Sequence, residues 1–247
     1  MERELYTAVR RIEATHWWYV GRRRIVLDWL RRLTPAGRPR ILDVGCGTGF
    51  NLERLPELLP CEVVGADISA DALAFCRSRQ LSALVRADAA EPPFLDGSFD
   101  VILALDVIEH VRDDARALAS LRRLLRPGGC LMIFTPAFQF LWSEHDTVAH
   151  HFRRYTGGEL GRKLQAAGFA IEKLSYANTL LFPAVWAARF ALRAAPDGAA
   201  ADAESAEPPA WMNRLLAGIF SFESRLLARM NLPFGVSVLA VARRPAS

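Results

Sequence analysis

Three glycines at alternate positions follow a short apolar run at residues 40–44. They are Gly45, Gly47 and Gly49. Glycine permits a tight turn and lacks the Cβ atom that would keep a ligand away from the backbone. Asp67 ends the next apolar run, where a carboxylate can accept hydrogen bonds from both hydroxyls of a ribose. Asp88 and Ala89 follow the third run and suit the edge of an adenine ring. The spacing therefore predicts a ligand that contains adenosine.

A dinucleotide is the alternative ligand for such a loop. The dinucleotide fingerprint GxGxxG, starting at Gly45, requires a glycine at position 50, where this chain has Phe50. A nicotinamide-dependent oxidoreductase is therefore the less favoured reading, and it stays open at this point.

Histidines are the candidates for proton transfer, because imidazole can accept a proton near neutral pH. His145 and His151 lie in one segment, SEHDTVAHHFRRY, and are the first candidates for a general base. His110 is the next candidate. A structural role, such as capping a loop, is as well supported for each of them by sequence alone.

Alternating apolar runs and helical stretches must position these residues, and that alternation predicts an α/β fold with a parallel sheet. A helix is predicted to begin at Asp113 and Asp114 and to stop at residues 127–129, and another to begin at Thr156 and end at Gly168. The predicted strands are residues 40–44, 62–66, 83–86, 99–105, 130–135, 169–176 and 236–242.

The motifs DVGCGTG, LDVIEH and LRPGG occur in this order at residues 43–49, 105–110 and 125–129. With them the chain resembles the class I S-adenosylmethionine-dependent methyltransferases, specifically a bacterial, small-molecule group of the type 11/12 kind. The resemblance covers about residues 40–176 and the last strand. It implies a Rossmann-like, doubly wound seven-stranded sheet, mostly parallel with the last strand antiparallel. It also implies S-adenosylmethionine as the cofactor, S-adenosylhomocysteine as its product, and no metal.

The same resemblance implies which residues contact the cofactor. Asp43 and the loop Gly45, Cys46, Gly47 and Gly49 would surround the methionine part, Asp67 the ribose, Ile68 the adenine face, Asp88 and Ala89 the adenine edge, and Leu105 the sulfonium. The side chain of Cys46 is expected to pack within the loop.

Two further segments resemble the same bacterial group. The pattern HD followed by HxRRY matches His145 and His151 as candidate bases. Its other matches, Asp146, Arg154 and Tyr155, are implied to bind substrate. Residues 15–24, THWWYVGRRR, resemble an N-terminal lid, in which Tyr19 and Arg23 would contact the cofactor and Trp17 and Trp18 the acceptor. Core packing is the alternative for each aromatic ring.

The predicted organisation is an N-terminal helical lid at residues 1–39 and a methyltransferase domain at residues 40–247. A helical insertion is expected at residues 179–232. Within it, residues 195–210 read as a mobile loop, because they are rich in Pro, Ala, Asp and Glu and offer little to bury. The apolar residues of the insertion predict an apolar pocket, a dimer contact or a contact with a membrane surface.

Composition excludes several classes of protein. The chain has 247 residues, of which 51% are hydrophobic and 23% charged, so a disordered or collagen-like chain is excluded. Its four cysteines form no CxxC pair, so reduced thiols are expected.

The uncharged stretches are too short for a membrane span, and we expect a cytoplasmic protein. Positions 1–40 contain ten arginines and four acidic residues. Such a basic end could attract nucleic acid or an anionic membrane surface, but a solvated, arginine-rich helix face is the favoured interpretation.

The predicted function is methyl transfer to oxygen or carbon of a small molecule by in-line displacement. The expected acceptor is an apolar lipid, isoprenoid or polyketide-type molecule, or else a sugar-linked metabolite. Nucleic acid is disfavoured, because LDVIEH stands where adenine-methylating enzymes have [DN]PP[YF]. The chain is expected to be a monomer or a homodimer. A methyltransferase-like scaffold without catalytic activity remains the alternative.

Overall fold

Seven runs of the chain form one sheet in a computed structural model, which describes residues 3–34, 37–192 and 208–246. The strands are β1 Arg40–Val44, β2 Glu62–Asp67, β3 Leu84–Arg86, β4 Phe99–Leu105, β5 Leu125–Pro136, β6 Ala170–Ala177 and β7 Ser237–Arg243. Their order is β3-β2-β1-β4-β5-β7-β6. β7 runs antiparallel to β5 and β6, and the other neighbours are parallel. The predicted fold class is confirmed.

Helices cover both faces of the sheet. They are α1 Arg3–Ile12, α2 Trp17–Leu33, α3 Phe50–Leu58, α4 Ala70–Ser78, α5 Asp114–Leu124, α6 Glu144–Val148, α7 Gly157–Ala166, α8 Phe182–Leu192 and α9 Ala210–Leu227. Asp113 caps α5 by accepting a hydrogen bond from the N–H of Arg116, and Thr156 caps α7 by accepting one from Glu159. Both helix starts agree with the sequence prediction.

Side chains alternate between two apolar layers, as expected for strands that are buried on both faces. Leu42 and Ile102 point to the layer that contains α5 and α7. Ile41 and Leu103 point to the layer that contains α2 and α9. The N-terminal helix α2 and the insertion helix α9 therefore cover the same face of the sheet.

β5 begins five residues earlier than predicted, at Leu125 instead of Cys130. Leu125 pairs with Phe99, and the register then shifts before Val101 pairs with Cys130. The segment Pro127–Gly129 is thus an irregular part of the strand. The prediction failed here because a Pro-Gly-Gly sequence is typical of a turn, whereas pairing with β4 keeps it in the sheet.

The helical insertion agrees with its prediction where the structure describes it. Helices α8 and α9 both lie within residues 179–232, between β6 and β7. Of the predicted mobile loop, residues 195–207 lie outside the described part of the chain. The division into lid and domain stays a prediction. Across the described residues, no helix is both long and apolar enough to cross a membrane.

The four cysteines are free and buried, as expected. The sulfur atoms of Cys46 and Cys76 lie 3.9 Å apart, and both residues pack with Leu52 and Leu73 behind the glycine loop. Cys46 is therefore a small packing residue of that loop.

Helices α2 and α9 approach each other closely at Gly21, where an added Cβ would lie 2.3 Å from Cδ1 of Phe220. We expect Gly21→Ala to lower the free energy of unfolding by about 1–3 kcal/mol through overpacking. Gly218→Ala in α9 is the matched control, because its Cβ would meet no described atom within 4 Å. The control should raise stability by up to about 1 kcal/mol. Urea unfolding measures both, and equal stabilities of the two variants would contradict this packing.

Candidate functional site

The loop after β1 is shaped by its backbone. Gly45, Gly47 and Gly49 have φ values of 64°, 54° and 81°, in the left-handed region that favours glycine. A Cβ on Gly45 would lie 2.5 Å from the side chain of Val107, whereas one on Gly47 would meet no described atom within 4 Å. Gly47 therefore borders open space in which a ligand can approach the main chain.

Asp67 is the last residue of β2 and forms a hydrogen bond with this loop. Its carboxylate accepts hydrogen bonds from the backbone N–H groups of Gly47 at 2.9 Å and Ser69 at 2.8 Å. Burial raises the pKa of Asp67, although these hydrogen bonds act against that rise. The next residue, Ile68, is 61% exposed and offers an apolar surface beside the carboxylate.

Asp43 lies one strand away, within β1, and is fully buried. Burial raises the pKa of Asp43 to about 7, only partly offset by the hydrogen bond that Asn51 donates at 3.2 Å. Leu105, at the end of β4, is buried at the same edge of the sheet. Asp88 is exposed after β3, where it accepts a hydrogen bond from the N–H of Ala90, and Ala89 is buried. The fold thus brings the predicted cofactor residues to the carboxyl ends of four adjacent strands.

The N-terminal helices are attached to this edge. The hydroxyl of Thr48 in the glycine loop donates a hydrogen bond to Glu13, as does Arg79, the residue that follows α4. Arg23 donates to the backbone carbonyls of Glu13 and Ala14, and its guanidinium lies 4.3 Å from the ring centre of Phe50. Arg23 therefore fixes the connection between α1 and α2, and its contact with a cofactor stays a prediction.

Arg22 is a site residue that the sequence analysis missed. Its guanidinium forms an ion pair with Asp106, the residue that follows β4, and lies 4.5 Å from the ring centre of Trp18 and 5.5 Å from that of Tyr19. The Nε atom of Arg22 is buried, and none of the described residues forms a hydrogen bond with it. Residues 18 and 19 lie four and three positions before residue 22, so all three share one helix face. This spacing could have indicated the contact between Arg22 and the two aromatic rings.

The two tryptophans differ in their surroundings. The backbone N–H of Trp17 donates to the side chain of Asn213 at 2.8 Å, and its ring centre lies 6.1 Å from that of Phe220, so Trp17 faces α9. The ring centre of Trp18 lies 6.4 Å from that of Phe134 in β5, so Trp18 faces the sheet. Contact of either ring with an acceptor stays a prediction.

Three of the predicted histidines form a cluster after β4 and β5. The ring centre of His151 lies 4.5 Å from that of His110 and 6.3 Å from that of His145. Burial, followed by the charge of His151, lowers the pKa of His110 to about 3. The imidazole of His110 is therefore neutral near physiological pH.

Asp146 orients His151. Its buried carboxylate lies 2.7 Å from Nδ1 of His151 and accepts two hydrogen bonds from Arg154, at 2.9 and 2.7 Å, and one from the N–H of Ser143. Burial acts to raise the pKa of Asp146, but the hydrogen bonds from His151 and Arg154 outweigh it and lower the pKa. Since an ionised carboxylate only accepts hydrogen bonds, Nδ1 of His151 is the donor in this contact, and in a neutral imidazole the lone pair would then lie on Nε2.

Arg154 and Tyr155 lie behind the histidines. Arg154 also donates to the carbonyl of Ala137, and the hydroxyl of the fully buried Tyr155 donates to Asp114 at 2.7 Å. These contacts hold the segment in place. Direct contact of Asp146, Arg154 or Tyr155 with substrate stays a prediction.

Glu109 is the second residue that the sequence analysis missed. It is fully buried, with one carboxylate oxygen accepting a hydrogen bond from Thr135 at 2.9 Å. The other oxygen, Oε1, has no hydrogen-bond partner within residues 3–34, 37–192 and 208–246, and burial raises the pKa of Glu109 well above its usual range. The motif LDVIEH contained this residue, but the sequence could not indicate that its carboxylate is buried.

Comparisons with known proteins show what this chain is similar to. A family model described as a methyltransferase domain matches residues 42–133. A protein of Mycolicibacterium smegmatis, named a probable S-adenosylmethionine-dependent methyltransferase, is 34% identical over 140 residues, which are 56% of this chain and 54% of that protein. A ubiquinone biosynthesis O-methyltransferase of Albidiferax ferrireducens is 33% identical over 119 residues, 44% of this chain and 46% of that protein. The matches thus span about half the length of these relatives.

Solved structures share the fold. An S-adenosylmethionine-dependent methyltransferase from Mesorhizobium loti has a TM-score of 0.56 at 21% identity, covering 88% of this chain and 98% of that one. The [4+2]-cyclase SpnF has a TM-score of 0.59 at 24% identity, covering 91% of this chain and 82% of that one. At these identities the likeness concerns the fold alone.

The pKa of Asp43 leads to a pH prediction. A carboxyl group with a pKa of about 7 is protonated below neutral pH and ionised above it, and the α-ammonium group of S-adenosylhomocysteine beside it would favour the ionised form. We therefore expect the affinity for S-adenosylhomocysteine to rise about tenfold between about pH 6 and pH 8 in calorimetry. Asp43→Asn should weaken binding and remove this dependence, whereas Asp96→Asn, in an exposed ion pair, should keep it. Wild-type affinity that does not change with pH would contradict the prediction.

Proposed function

We propose that this chain, which belongs to the class I S-adenosylmethionine-dependent methyltransferases, transfers a methyl group to an oxygen atom of a small-molecule acceptor. Its cofactor is S-adenosylmethionine, as in that family. The observation that carries the proposal is the arrangement at one edge of the sheet. The glycine loop and Asp67 lie after β1 and β2, and the imidazole of His151 with its lone pair lies after β5.

The residues at this edge fit the cofactor. The left-handed glycines and the open space at Gly47 allow close approach to the backbone. The carboxylates of Asp43 and Asp67 suit a ligand with positive charge and hydroxyl groups, and Ile68 offers an apolar surface for a base. We therefore assign Asp43 and residues 45–49 to the methionine part, Asp67 to the ribose and Ile68, Asp88 and Ala89 to the adenine.

His151 is our first candidate for accepting the proton of the acceptor hydroxyl. Asp146 holds Nδ1, so Nε2 is the nitrogen available for that proton. The sulfonium supplies an electrophilic methyl group: the acceptor oxygen forms the new O–C bond, and the electrons of the S–C bond return to sulfur. His145 and His110 are the next candidates. The protein otherwise aligns the two reactants and excludes water.

Aromatic side chains support an apolar or aromatic acceptor. The ring of Phe138, after β5, stacks on those of Phe140 at 5.1 Å and Tyr176 at 4.8 Å, and Phe182 of α8 lies 6.4 Å away. Phe140 is exposed. Helix α6, which carries His145, follows these residues directly in sequence. A lipid, isoprenoid or polyketide-type acceptor fits such a surface, and the O-methyltransferase relative is consistent with transfer to oxygen.

Peripheral contact with a membrane surface is the proposed role of the insertion helices. Large apolar side chains of α8 and α9 are exposed, among them Trp186, Phe190, Trp211 and Leu215. Arg214 lies beside Leu215 in a groove of about 420 Å³ on α9. Apolar rings next to arginine suit an anionic lipid surface. The localisation that we propose is cytoplasmic, at that surface.

A catalytically inactive scaffold is the second candidate function. The observation that favours it is the shared fold of the [4+2]-cyclase SpnF, a protein named for a different reaction. Binding of cofactor without methyl transfer would distinguish a scaffold from an enzyme. Binding of NAD in place of S-adenosylhomocysteine would instead support an oxidoreductase.

The proposed activity is tested by transfer of label from methyl-labelled S-adenosylmethionine to panels of phenolic, isoprenoid and sugar-linked hydroxyl compounds. We expect one panel to accept label, and we expect His151→Ala to lower turnover about 10²- to 10⁴-fold, the usual contribution of a general base. His150→Asn is the matched control, because His150 is the exposed neighbour and asparagine tolerates its left-handed backbone, φ 59°. Absence of label in every panel, with S-adenosylhomocysteine bound, would favour the scaffold.

Membrane contact is tested by sedimentation with vesicles. We expect the chain to sediment with anionic vesicles at low salt and to remain in solution with zwitterionic ones. Replacing both Trp186 and Phe190 by serine should reduce the bound fraction, whereas Leu95→Ser, at an exposed residue of the loop before β4, should leave it unchanged. Equal binding by all three proteins would exclude α8 from the contact.

A further inference from the structure

We infer that Glu109, His110 and His151 form a binding site for one divalent metal ion. An oxygen of Glu109 and one nitrogen from each imidazole lie within 4.8 Å of one another. Transition-metal ions bind oxygen and nitrogen at about 2.0–2.2 Å. Small side-chain rotations would therefore bring the three donor atoms to a single ion. This assignment differs from the metal-free site that the sequence resemblance implies.

The carboxylate of Glu109 is the strongest sign of a missing ligand. Among the described residues, its Oε1 atom is buried without a hydrogen-bond partner, although Oε2 accepts a hydrogen bond from Thr135. A buried carboxylate oxygen without a partner costs free energy, and no donor from the described part of the chain reaches this one. A cation bound to Oε1 would provide the missing interaction.

The two imidazoles are prepared to act as neutral ligands. Nδ1 of His151 donates to Asp146, which is itself held by Arg154, so Nε2 carries the lone pair. Such a carboxylate behind a histidine is the usual support of a metal ligand and fixes its tautomer. The imidazole of His110 is hydrogen-bonded to the backbone of His150, which engages one of its nitrogens in a similar way.

The donor set favours a transition metal. Two imidazoles and one carboxylate suit Mn²⁺, Fe²⁺, Co²⁺ or Zn²⁺, whereas Mg²⁺ prefers a set made of oxygen atoms. Three protein ligands leave positions for other ligands, as in catalytic metal sites. Asp106 lies close enough to interact electrostatically with His151 and adds an acidic group to the surroundings.

The ion would act on the acceptor, and this part of the inference rests on the proposed function. An acceptor hydroxyl bound to the ion loses its proton more readily than a free one. Two neighbouring oxygens, as in a vicinal diol or a catechol, would fill two open positions and orient one oxygen for transfer. His151 would then be a ligand, and His145, whose ring lies 6.3 Å away, would become the candidate proton acceptor.

The test is a titration of the chelator-treated full chain with Mn²⁺. Calorimetry measures the heat of binding, and the electron paramagnetic resonance signal measures the Mn²⁺ that remains free. Zn²⁺ and Mg²⁺ are titrated in parallel by calorimetry. We expect one equivalent of Mn²⁺ or Zn²⁺ to bind and Mg²⁺ to bind more weakly. Glu109→Gln and His151→Gln should each weaken binding at least tenfold, and Asp146→Asn by about 10- to 100-fold. The control His150→Asn should keep the wild-type affinity.

Circular dichroism and affinity for S-adenosylhomocysteine verify that each variant is folded. If Glu109→Gln misfolds, His110→Gln at a partly exposed position replaces it in the comparison. Failure of the wild type to bind metal, or unchanged affinity in the folded ligand variants, would overturn the inference. Because metal binding is measured without cofactor or acceptor, a chain that binds the ion but transfers no methyl group would contradict the proposed function alone.

Discussion

Buried negative charge is the constraint on which this site depends. Four acidic side chains, Asp43, Asp67, Asp106 and Glu109, lie at the carboxyl ends of β1, β2 and β4, and burial raises the pKa of each. Ionised carboxylates are costly in such surroundings unless cations or hydrogen-bond donors accompany them. Arg22 meets this need at Asp106, and backbone N–H groups meet it at Asp67. Asp43 and Glu109 have less support from the described residues, and the proposed cationic cofactor and metal ion would supply it.

The same edge is built from parts of the chain that are distant in sequence. Glu13, after α1, accepts hydrogen bonds from Thr48 of the glycine loop and from Arg79 after α4, and Arg22 of α2 forms an ion pair with Asp106. Helix α2 in turn packs on α9 through Gly21. A change in the insertion can therefore reach the cofactor loop through α2. This continuity gives a physical reason why a helical N-terminus and an insertion belong to one functional unit.

Much of the fold could be predicted because its signals are local. Buried parallel strands appear as short apolar runs, and β1 and β4 have the predicted bounds. Helix caps such as Asp113 and Thr156 are recognisable within four residues. The start of β5 was wrong because pairing of Leu125 with Phe99 depends on a neighbouring strand, which a local pattern does not contain.

The site could be predicted only in part, for the same reason. Motif spacing placed the glycine loop, Asp67 and the histidines at one edge, but the partners of Arg22 and Glu109 come from chain segments 84 and 26 residues away. Sequence also left the roles of Trp17 and Trp18 open, since packing on α9 depends on the tertiary structure.

A crystal structure of the chain grown with S-adenosylhomocysteine tests the central claim most directly. The account predicts ribose hydroxyls on the carboxylate of Asp67, the base against Ile68, and the amino-acid part along residues 45–49. A nucleoside bound at another surface, with the crevice at Gly47 free of it, would contradict the account.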